Sequence, residues 1–294
     1  MARTNFEELL KAGVHFGHLK SKWNPAMAPY VFDERKGIHI IDLNKTVAKV
    51  EEAANALHSI AKSGRKILFV ATKKQAKEII ETRVATTTMP FITERWPGGM
   101  LTNFKTTRRT IKKMSLIEKL ITDETASNIS KRERLQKSRQ KDKLDKVFGN
   151  VIDMSRLPAA IFIVDIRKES IALAEAKKLG IPVFAMVDTN SDPKDVEFVI
   201  PSNDDASKSI DLIIAKMCDA VTEGLEERKA GKTKEKEAKA AVEAKKEIAK
   251  AEKEAPKAEV TPAVEVKEEA PKAKATPAAE VKEEAPKTEA KSAE

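Results

Sequence analysis

The chain holds one cysteine, Cys218, in 294 residues. A single thiol cannot close an internal disulfide, and zinc sites built on cysteine pairs are excluded with it. Aromatic residues are scarce, at 4%, while charged residues reach 34%. Long apolar runs are absent as well. The longest, such as 67–71 and 159–164, are far too short to span a bilayer. The first residues, Met1-Ala2-Arg3-Thr4-Asn5-Phe6, lack the apolar core of a signal peptide. Neither G-x-G-x-x-G nor G-x-x-x-x-G-K-[ST] occurs, so both common nucleotide fingerprints are missing. These absences lead us to expect a soluble, intracellular, basic protein of one large domain or two ordinary ones, with no membrane partner.

Charge is abundant and uneven. The net charge is +9, and residues 105–156 carry 15 basic against 7 acidic residues. Nearly all the excess positive charge therefore sits in one stretch. Such a concentration creates a local field that attracts polyanions. Residues 226–294, with 17 of each sign, are neutral. They have lost the large apolar side chains and repeat every 15 residues, as in Ala255-Pro256-Lys257, Ala270-Pro271-Lys272 and Ala285-Pro286-Lys287. Stacking such small side chains could not offset the ordering entropy. We expect frayed or isolated helix over 226–254 and disorder beyond, either as a segment that fishes for partners or as a solubilising appendage.

The ordered body shows short, nearly continuous apolar runs over 66–72, 159–165 and 182–188 and at Phe198-Val199-Ile200, with a shorter one near Pro90-Phe91-Ile92-Thr93. Runs without polar alternation indicate parallel strands covered on both faces. Helical patterns over 73–85, 168–179 and 206–225 alternate with them. The fold expected is a flavodoxin-like, doubly wound parallel α/β sheet with strand order 2-1-3-4-5. Ahead of it, residues 4–60 suggest a short helix, an extended stretch and a helix near 44–61. Pro29-Tyr30-Val31-Phe32 and Ile38-His39-Ile40-Ile41 read as a β-hairpin around residues 33–37.

More than 60 residues separate Thr93 from Ala159, where a crossover needs about a dozen. Ile111, Met114, Ile117, Leu120 and Ile121 form one apolar stripe; Leu135, Leu144, Val147, Phe148 and Val151 form another. With the polar residues 122–130 between them, they read as two antiparallel helices of an inserted coiled-coil hairpin. We therefore divide the chain into 1–104, the start of the α/β domain; 105–156, the arm; 157–225, the rest of the domain; and 226–294, the tail.

The first helix of the arm offers Lys105, Arg108, Arg109, Lys112 and Lys113. The second offers Lys131, Arg132, Arg134, Lys137, Arg139, Lys141 and Lys143. Guanidinium forks and ammonium groups match phosphate oxygens. A solvated coiled-coil face would more usually mix signs. The spacing does not distinguish RNA from DNA. Lys20 and Lys22 lie beside Trp23 and Tyr30, which could stack on unpaired bases or simply anchor an irregular segment.

Other residue groups carry weaker signals. Gly98 and Gly99, between a strand and a helix, could cradle a phosphate on backbone amides. The pair Lys73-Lys74 also opens a helix and could meet an anion. His15 and His18 could ligate a metal with Asp188, Asp204 or Asp205, or could form a hydrogen-bonding pair at a domain junction; no ligand spacing is diagnostic. Asp204 and Asp205 precede a helix and suggest an N-cap more than acid–base chemistry. Asp192-Pro193 reads as a turn. Cys218, in an apolar helical pattern, suggests a buried thiol.

Several long motifs carry a resemblance. They are Gly13-Val14-His15-Phe16-Gly17-His18, Lys22-Trp23-Asn24-Pro25, Arg95-Trp96-Pro97-Gly98-Gly99-Met100-Leu101-Thr102-Asn103, Asp188-Thr189-Asn190-Ser191-Asp192-Pro193 and Ile200-Pro201-Ser202-Asn203-Asp204-Asp205-Ala206. Together, and over about residues 1–226, the chain resembles the bacterial small ribosomal subunit protein two family (the universal S-two family). The resemblance implies a Rossmann-like domain with an inserted coiled coil, placed in the 30S subunit against 16S ribosomal RNA. It also implies contacts with neighbouring small-subunit proteins and help in recruiting protein S-one, with no catalytic residue, cofactor or small-molecule substrate. Arg95 joins the candidate RNA contacts. The long tail departs from the family's short C-terminus. Two other readings stand beside it: a nucleotide-dependent enzyme on the same sheet, and a nucleic-acid-binding regulator acting outside ribosomes.

Overall fold

The structure, a computed structural model, describes residues 3–122 and 130–251. Five strands form a parallel sheet: β4 (Ile67–Val70), β5 (Phe91–Ile92), β6 (Ala160–Val164), β7 (Val183–Val187) and β8 (Phe198–Pro201). Their spatial order is β5-β4-β6-β7-β8, which is the expected order 2-1-3-4-5. Every residue of β4, β6 and β7 is buried. Successive side chains of a strand point to opposite faces, so the runs feed two cores. Ile67, Phe69, Phe162 and Phe184 pack on one face with residues of α2 (Leu43–Ser63), α3 (Lys74–Ala85) and α7 (Ser207–Ala251). Leu68, Val70, Ile161, Ile163 and Ala185 pack on the other with α6 (Ser170–Leu179), Trp96, Met100 and Leu101. Burial on both faces is why these strands show no polar alternation.

Local chemistry sets the helix ends. Asp42 caps α2 by accepting from the Asn44 amide at 3.0 Å, and the helix stops at Gly64, in the left-handed region at φ 78°. The helices expected from 168 and 206 begin two and one residues later. Asp165 Oδ1 first takes the amides of Arg167 and Lys168, and Asn203 Oδ1 takes those of Asp205 and Ala206. Asn203, rather than Asp204 or Asp205, thus closes the turn into α7. Helix α7 runs on to Ala251, so the boundary expected after residue 225 falls inside a helix. The chain forms two units, Met1–Ala241 and Val242–Glu294; of the second, Val242–Ala251 is described, and it is helical. The expected disorder beyond residue 254 lies outside the described residues.

The N-terminal segment holds α1 (Phe6–Ala12) and a second, antiparallel sheet ordered β1-β3-β2, with β1 (Phe16–Leu19), β2 (Val31–Arg35) and β3 (Ile38–Ile41). The hairpin is tighter than expected: β2 extends to Arg35, leaving Lys36-Gly37 as its turn, both at positive φ. Residues 25–30, read as partly strand, form a 3-10 turn begun by Asn24, whose side chain accepts from the Ala26 amide. Strand β1 went unforeseen because four residues that include one histidine and one glycine, Phe16-Gly17-His18-Leu19, carry no strand signal. It is held by tertiary contact: the His18 amide donates to Thr189 Oγ1 at 2.8 Å.

Between β5 and β6 the chain forms α4 (Phe104–Thr122) and α5 (Lys131–Phe148). Arg108 meets Ser155, and Glu118 meets Lys141, so the two helices run antiparallel. Helix α5 opens with a capping box, Ser130 Oγ accepting from the Glu133 amide while Glu133 accepts from the Ser130 amide. Ser and Glu three residues apart, in Ser130-Lys131-Arg132-Glu133, supply the two halves of the box. Ile111, Met114 and Ile117 are buried, whereas Leu120 and Leu135 are 41% and 52% exposed. Helix α5 has no fully buried residue. Apolar packing between the two helices is therefore concentrated near the body. Residues 123–129, most of the expected linker, lie outside the described residues.

Gly17 shows how closely β1 approaches the parallel sheet. A Cβ there would lie 2.7 Å from the Thr189 side chain and 2.9 Å from the His39 carbonyl oxygen. Gly17→Ala is expected to destabilise the protein by about 1–3 kcal/mol, the usual result of overpacking. Urea unfolding of the full chain measures this, and an unchanged midpoint would show that β1 docks loosely.

Candidate nucleic-acid interface

In open parallel sheets, ligands bind beyond the carboxyl ends of the strands, where the strand order reverses. Here that place lies between β4 and β6, and the chain fills it with its own side chains. Lys73 Nζ stands 3.2 Å from Asp165 Oδ2, 2.8 Å from Asp204 Oδ1 and 2.8 Å from Asp205 Oδ1. The Thr72 amide donates to Glu169 Oε1 at 3.1 Å, and the Thr72 hydroxyl donates to the same oxygen. Lys168 Nζ reaches the Thr72 carbonyl at 2.8 Å. Asp165 takes a positive φ of 67°, an uncommon conformation outside glycine. His18, carried in by β1, places Nδ1 2.9 Å from Asp188 Oδ2 and Nε2 3.3 Å from Asp205 Oδ2.

The ionisations follow from these contacts. Burial opposes the Lys73 ammonium, but hydrogen bonds to Asp204 and Asp205 and the charges of Asp204 and Asp165 outweigh it, so its pKa is raised. Burial, aided by the charges of Asp165 and Asp188, pushes Asp204 up to about 7 despite Lys73. The hydrogen bond to Asp188 raises the pKa of His18. His18, Asp188 and Asp204 each offer one ligand atom within 4.8 Å of the others. Asp204 Oδ2 has no hydrogen-bond donor among the described residues. That donor set suits a divalent cation, although Lys73 already brings positive charge to it. His15 does not pair with His18 as the junction reading supposed; its ring lies on Phe16 at 4.1 Å. It borders an apolar groove of about 520 Å³ with Phe6, Leu10, Phe16 and Phe32. Cys218 is buried, and burial pushes its thiol up to about 12, as befits a structural thiol.

The glycine-containing turn that suggested a phosphate cradle is also occupied from within. Glu175 of α6 accepts from Trp96 Nε1 at 3.1 Å, the Gly99 amide at 2.8 Å, the Leu101 and Thr102 amides at 3.0 Å, and the Thr102 hydroxyl at 3.2 Å. Burial works against its charge, yet these donors hold its pKa below the usual carboxylate range. The backbone does bind an anion, and the anion belongs to the chain. The sequence located the donors and gave no hint of an acceptor more than 70 residues away.

The cations of the helical pair are disposed differently. Lys105, Arg108, Arg109, Lys112 and Lys113 are exposed on α4. Lys131, Arg132, Arg134, Arg139 and Lys143 are exposed on α5, while Lys137 is half-buried. Two serve the fold directly: Arg108 Nη1 donates to the Ser155 carbonyl at 2.9 Å, and Lys141 pairs with Glu118 at 2.6 Å. The others form no salt bridge among the described residues. Lys119 and Lys146, which the sequence pattern did not single out, are exposed on the same two helices. Away from the arm, Lys20 pairs with Glu34 at 2.7 Å, and Lys22 and Arg95 are exposed. Trp23 is half-buried against His39, with centroids 4.8 Å apart, and Tyr30 packs on the core. Their contacts fit anchoring of residues 20–30 better than base stacking.

Residues 9–224 match the model of a family described as Ribosomal protein S2. The chain is 64% identical over 232 residues to the small ribosomal subunit protein uS2 of Bacteroides fragilis (strain YCH46), covering 79% of this chain and 84% of that one. It is 60% identical over 244 residues to the uS2 of Parabacteroides distasonis, covering 83% and 87%. To the uS2 of Porphyromonas gingivalis (strain W83) it is 62% identical over 232 residues, covering 79% and 83%.

The filled crevice generates a pH prediction. A carboxyl group whose folded pKa lies above its unfolded value, near 4, binds its proton more tightly in the fold. Its contribution to stability is therefore lost as pH rises through the folded pKa. The melting temperature of the parent protein should fall relative to that of Asp204→Asn between about pH 4 and about pH 7. Parallel curves for the two proteins would show that Asp204 titrates normally.

Proposed function

The chain belongs to the ribosomal protein S2 family, and from that premise we propose that it is a structural constituent of the small (30S) ribosomal subunit that holds 16S rRNA mainly through phosphate contacts of α4 and α5. The family is one of ribosomal structural proteins, so the chain is not an enzyme. The single observation that carries the RNA reading is the set of exposed arm cations that form no salt bridge among the described residues. The body satisfies its charges internally, around Lys73 and around Glu175, whereas most of the arm cations pair with no carboxylate among the described residues. Two helices also place several cations along one line, and each phosphate neutralised releases condensed counterions.

In this reading, residues 1–104 and 157–225 form the platform, 105–156 the RNA-binding arm and 226–294 an appendage. The 3–4 spacing of the buried Ile111, Met114 and Ile117, with the antiparallel course of the helices, supports a short coiled-coil hairpin whose seam is tightest near the body. Lys20, Lys22 and Arg95 are secondary candidates for RNA contact, with Lys20 first having to leave Glu34. Location in the cytoplasm, within the ribosome, follows from the same proposal. Contacts with neighbouring small-subunit proteins and support for recruitment of S-one rest on the family resemblance. The nucleotide-enzyme reading has little left to stand on, because a mononucleotide would have to displace Lys73, Glu169 or Glu175 from its partners.

Neutralising Arg109, Lys112 and Lys113 together to Gln should weaken binding to 16S rRNA and flatten its salt dependence by about 0.7–0.9 in the log–log slope for each phosphate left unneutralised. Arg108→Gln, which removes the bond to Ser155, should lower stability as well. Filter binding across a salt series reads the slopes, and sucrose gradients of cells carrying the triple variant read incorporation. An unchanged slope with normal entry into the 30S peak would remove the arm from the RNA interface. A parent protein that stayed outside that peak would instead favour a free regulator.

A further inference from the structure

Residues 93–103 join β5 to α4 without regular secondary structure, and Pro97, Gly98 and Gly99 lie among them. A junction of that composition would let the helical pair swing. Instead, five donors from residues 96–102 converge on one carboxylate, two on Oε1 and three on Oε2 of Glu175. Glu175 sits on α6, outside the arm, and is buried. Three of its donors are backbone amides just ahead of Phe104, the first residue of α4. An anion there also suits the positive end of the α4 dipole. The apolar side chains of the same stretch, Trp96, Met100 and Leu101, are buried in the core that also takes Val151 and Met154 from beyond α5. The apolar contacts hold the root to the body without dictating direction. The carboxylate, with five directional bonds, dictates direction.

We propose that Glu175 is the positioning residue of the arm: by gathering the donors of residues 96–102 it sets the angle at which α4 leaves the body, and so decides which phosphates the arm cations meet. The second half of this statement rests on the RNA-binding reading above; the first does not. Gln at position 175 keeps one acceptor oxygen and turns an NH₂ group toward amide N–H donors, so about half of the anchorage is removed while the volume is kept. The buried apolar contacts remain, so the body is expected to stay folded.

The test uses the full-length chain with spin labels at Ser59→Cys on α2 and Gln136→Cys on α5, positions on the surface of the body and of the arm. Cys218 is buried and its thiol is pushed up to about 12, so it stays unlabelled. The parent should give a narrow distance distribution between the labels. Glu175→Gln should at least roughly double its width or move its mean, with a melting transition of the body retained and binding to 16S rRNA weakened, since cations that miss their phosphates release no counterions. A lowered melting temperature with an unchanged distribution would overturn the proposal, because Glu175 would then be stabilising without positioning. If Glu175→Gln fails to fold, Trp96→Phe decides, since it withdraws the indole donor from Glu175 while keeping an aromatic ring, although a smaller one, in the core. A smaller broadening in the same direction supports the proposal, and an unchanged distribution overturns it. Altered distances with unchanged RNA affinity would overturn the link to binding. The triple variant of α4 separately reports whether the arm binds RNA at all.

Discussion

Asp165, Asp188 and Asp204 are buried at the carboxyl edge of the parallel sheet, with Asp205 exposed beside them, and their mutual repulsion has to be met by positive charge. Lys73 meets most of it, with contacts of 2.8–3.2 Å to three of the four, and His18 meets the fourth. Buried charge is tolerated when it is paired and hydrogen-bonded, and removing one partner is strongly destabilising. The rest of the architecture depends on this cluster. His18 belongs to β1, Lys73 precedes α3, Asp165 follows β6, Asp188 follows β7, and Asp204 and Asp205 precede α7. One set of charges therefore ties the N-terminal sheet to most of the crossover elements of the main sheet.

The same cluster explains how a sheet of this topology can serve as a platform. The crevice at the strand-order reversal is where such folds usually take a ligand. Here Lys73 is taken up by the aspartates, and Lys168 and Glu169 by Thr72, and several carboxylates would repel a phosphate. At the neighbouring junction, Glu175 occupies the amide cluster that a phosphate might have taken. Both anion-binding opportunities are thus turned inward, where they join elements together.

The helical pair follows the opposite rule. Its apolar side chains are buried near the body, at Ile111, Met114 and Ile117, and become exposed farther out. Most of its cations have no ionic partner among the described residues. A surface of this kind gains little for the isolated fold, since exposed like charges repel. Its uncompensated charge would be satisfied by a polyanion, as the proposed function requires. A rigid root matters for such a surface, because binding by counterion release is strong only when several cations reach phosphates together.

Much of this was legible in the residues. Continuous apolar runs dictated a doubly covered parallel sheet, because side chains of both parities must leave water. The length between Thr93 and Ala159 demanded an insertion, and its composition demanded a basic one. The positions of Arg109, Lys112 and Lys113 on an exposed helical face followed from spacing alone. What could not be read were the pairings between distant residues: Glu175 with the turn at 96–102, Lys73 with Asp204, and His18 with Asp188. Strand β1, the closure of the α7 turn by Asn203 and the anchoring of Trp23 on His39 belong to the same class. Local periodicity reports which side chains must be buried, since the hydrophobic effect is non-directional and sums along the chain. Which charge meets which depends on distances of about 3 Å between groups far apart in sequence, and only the assembled sheet brings those groups together.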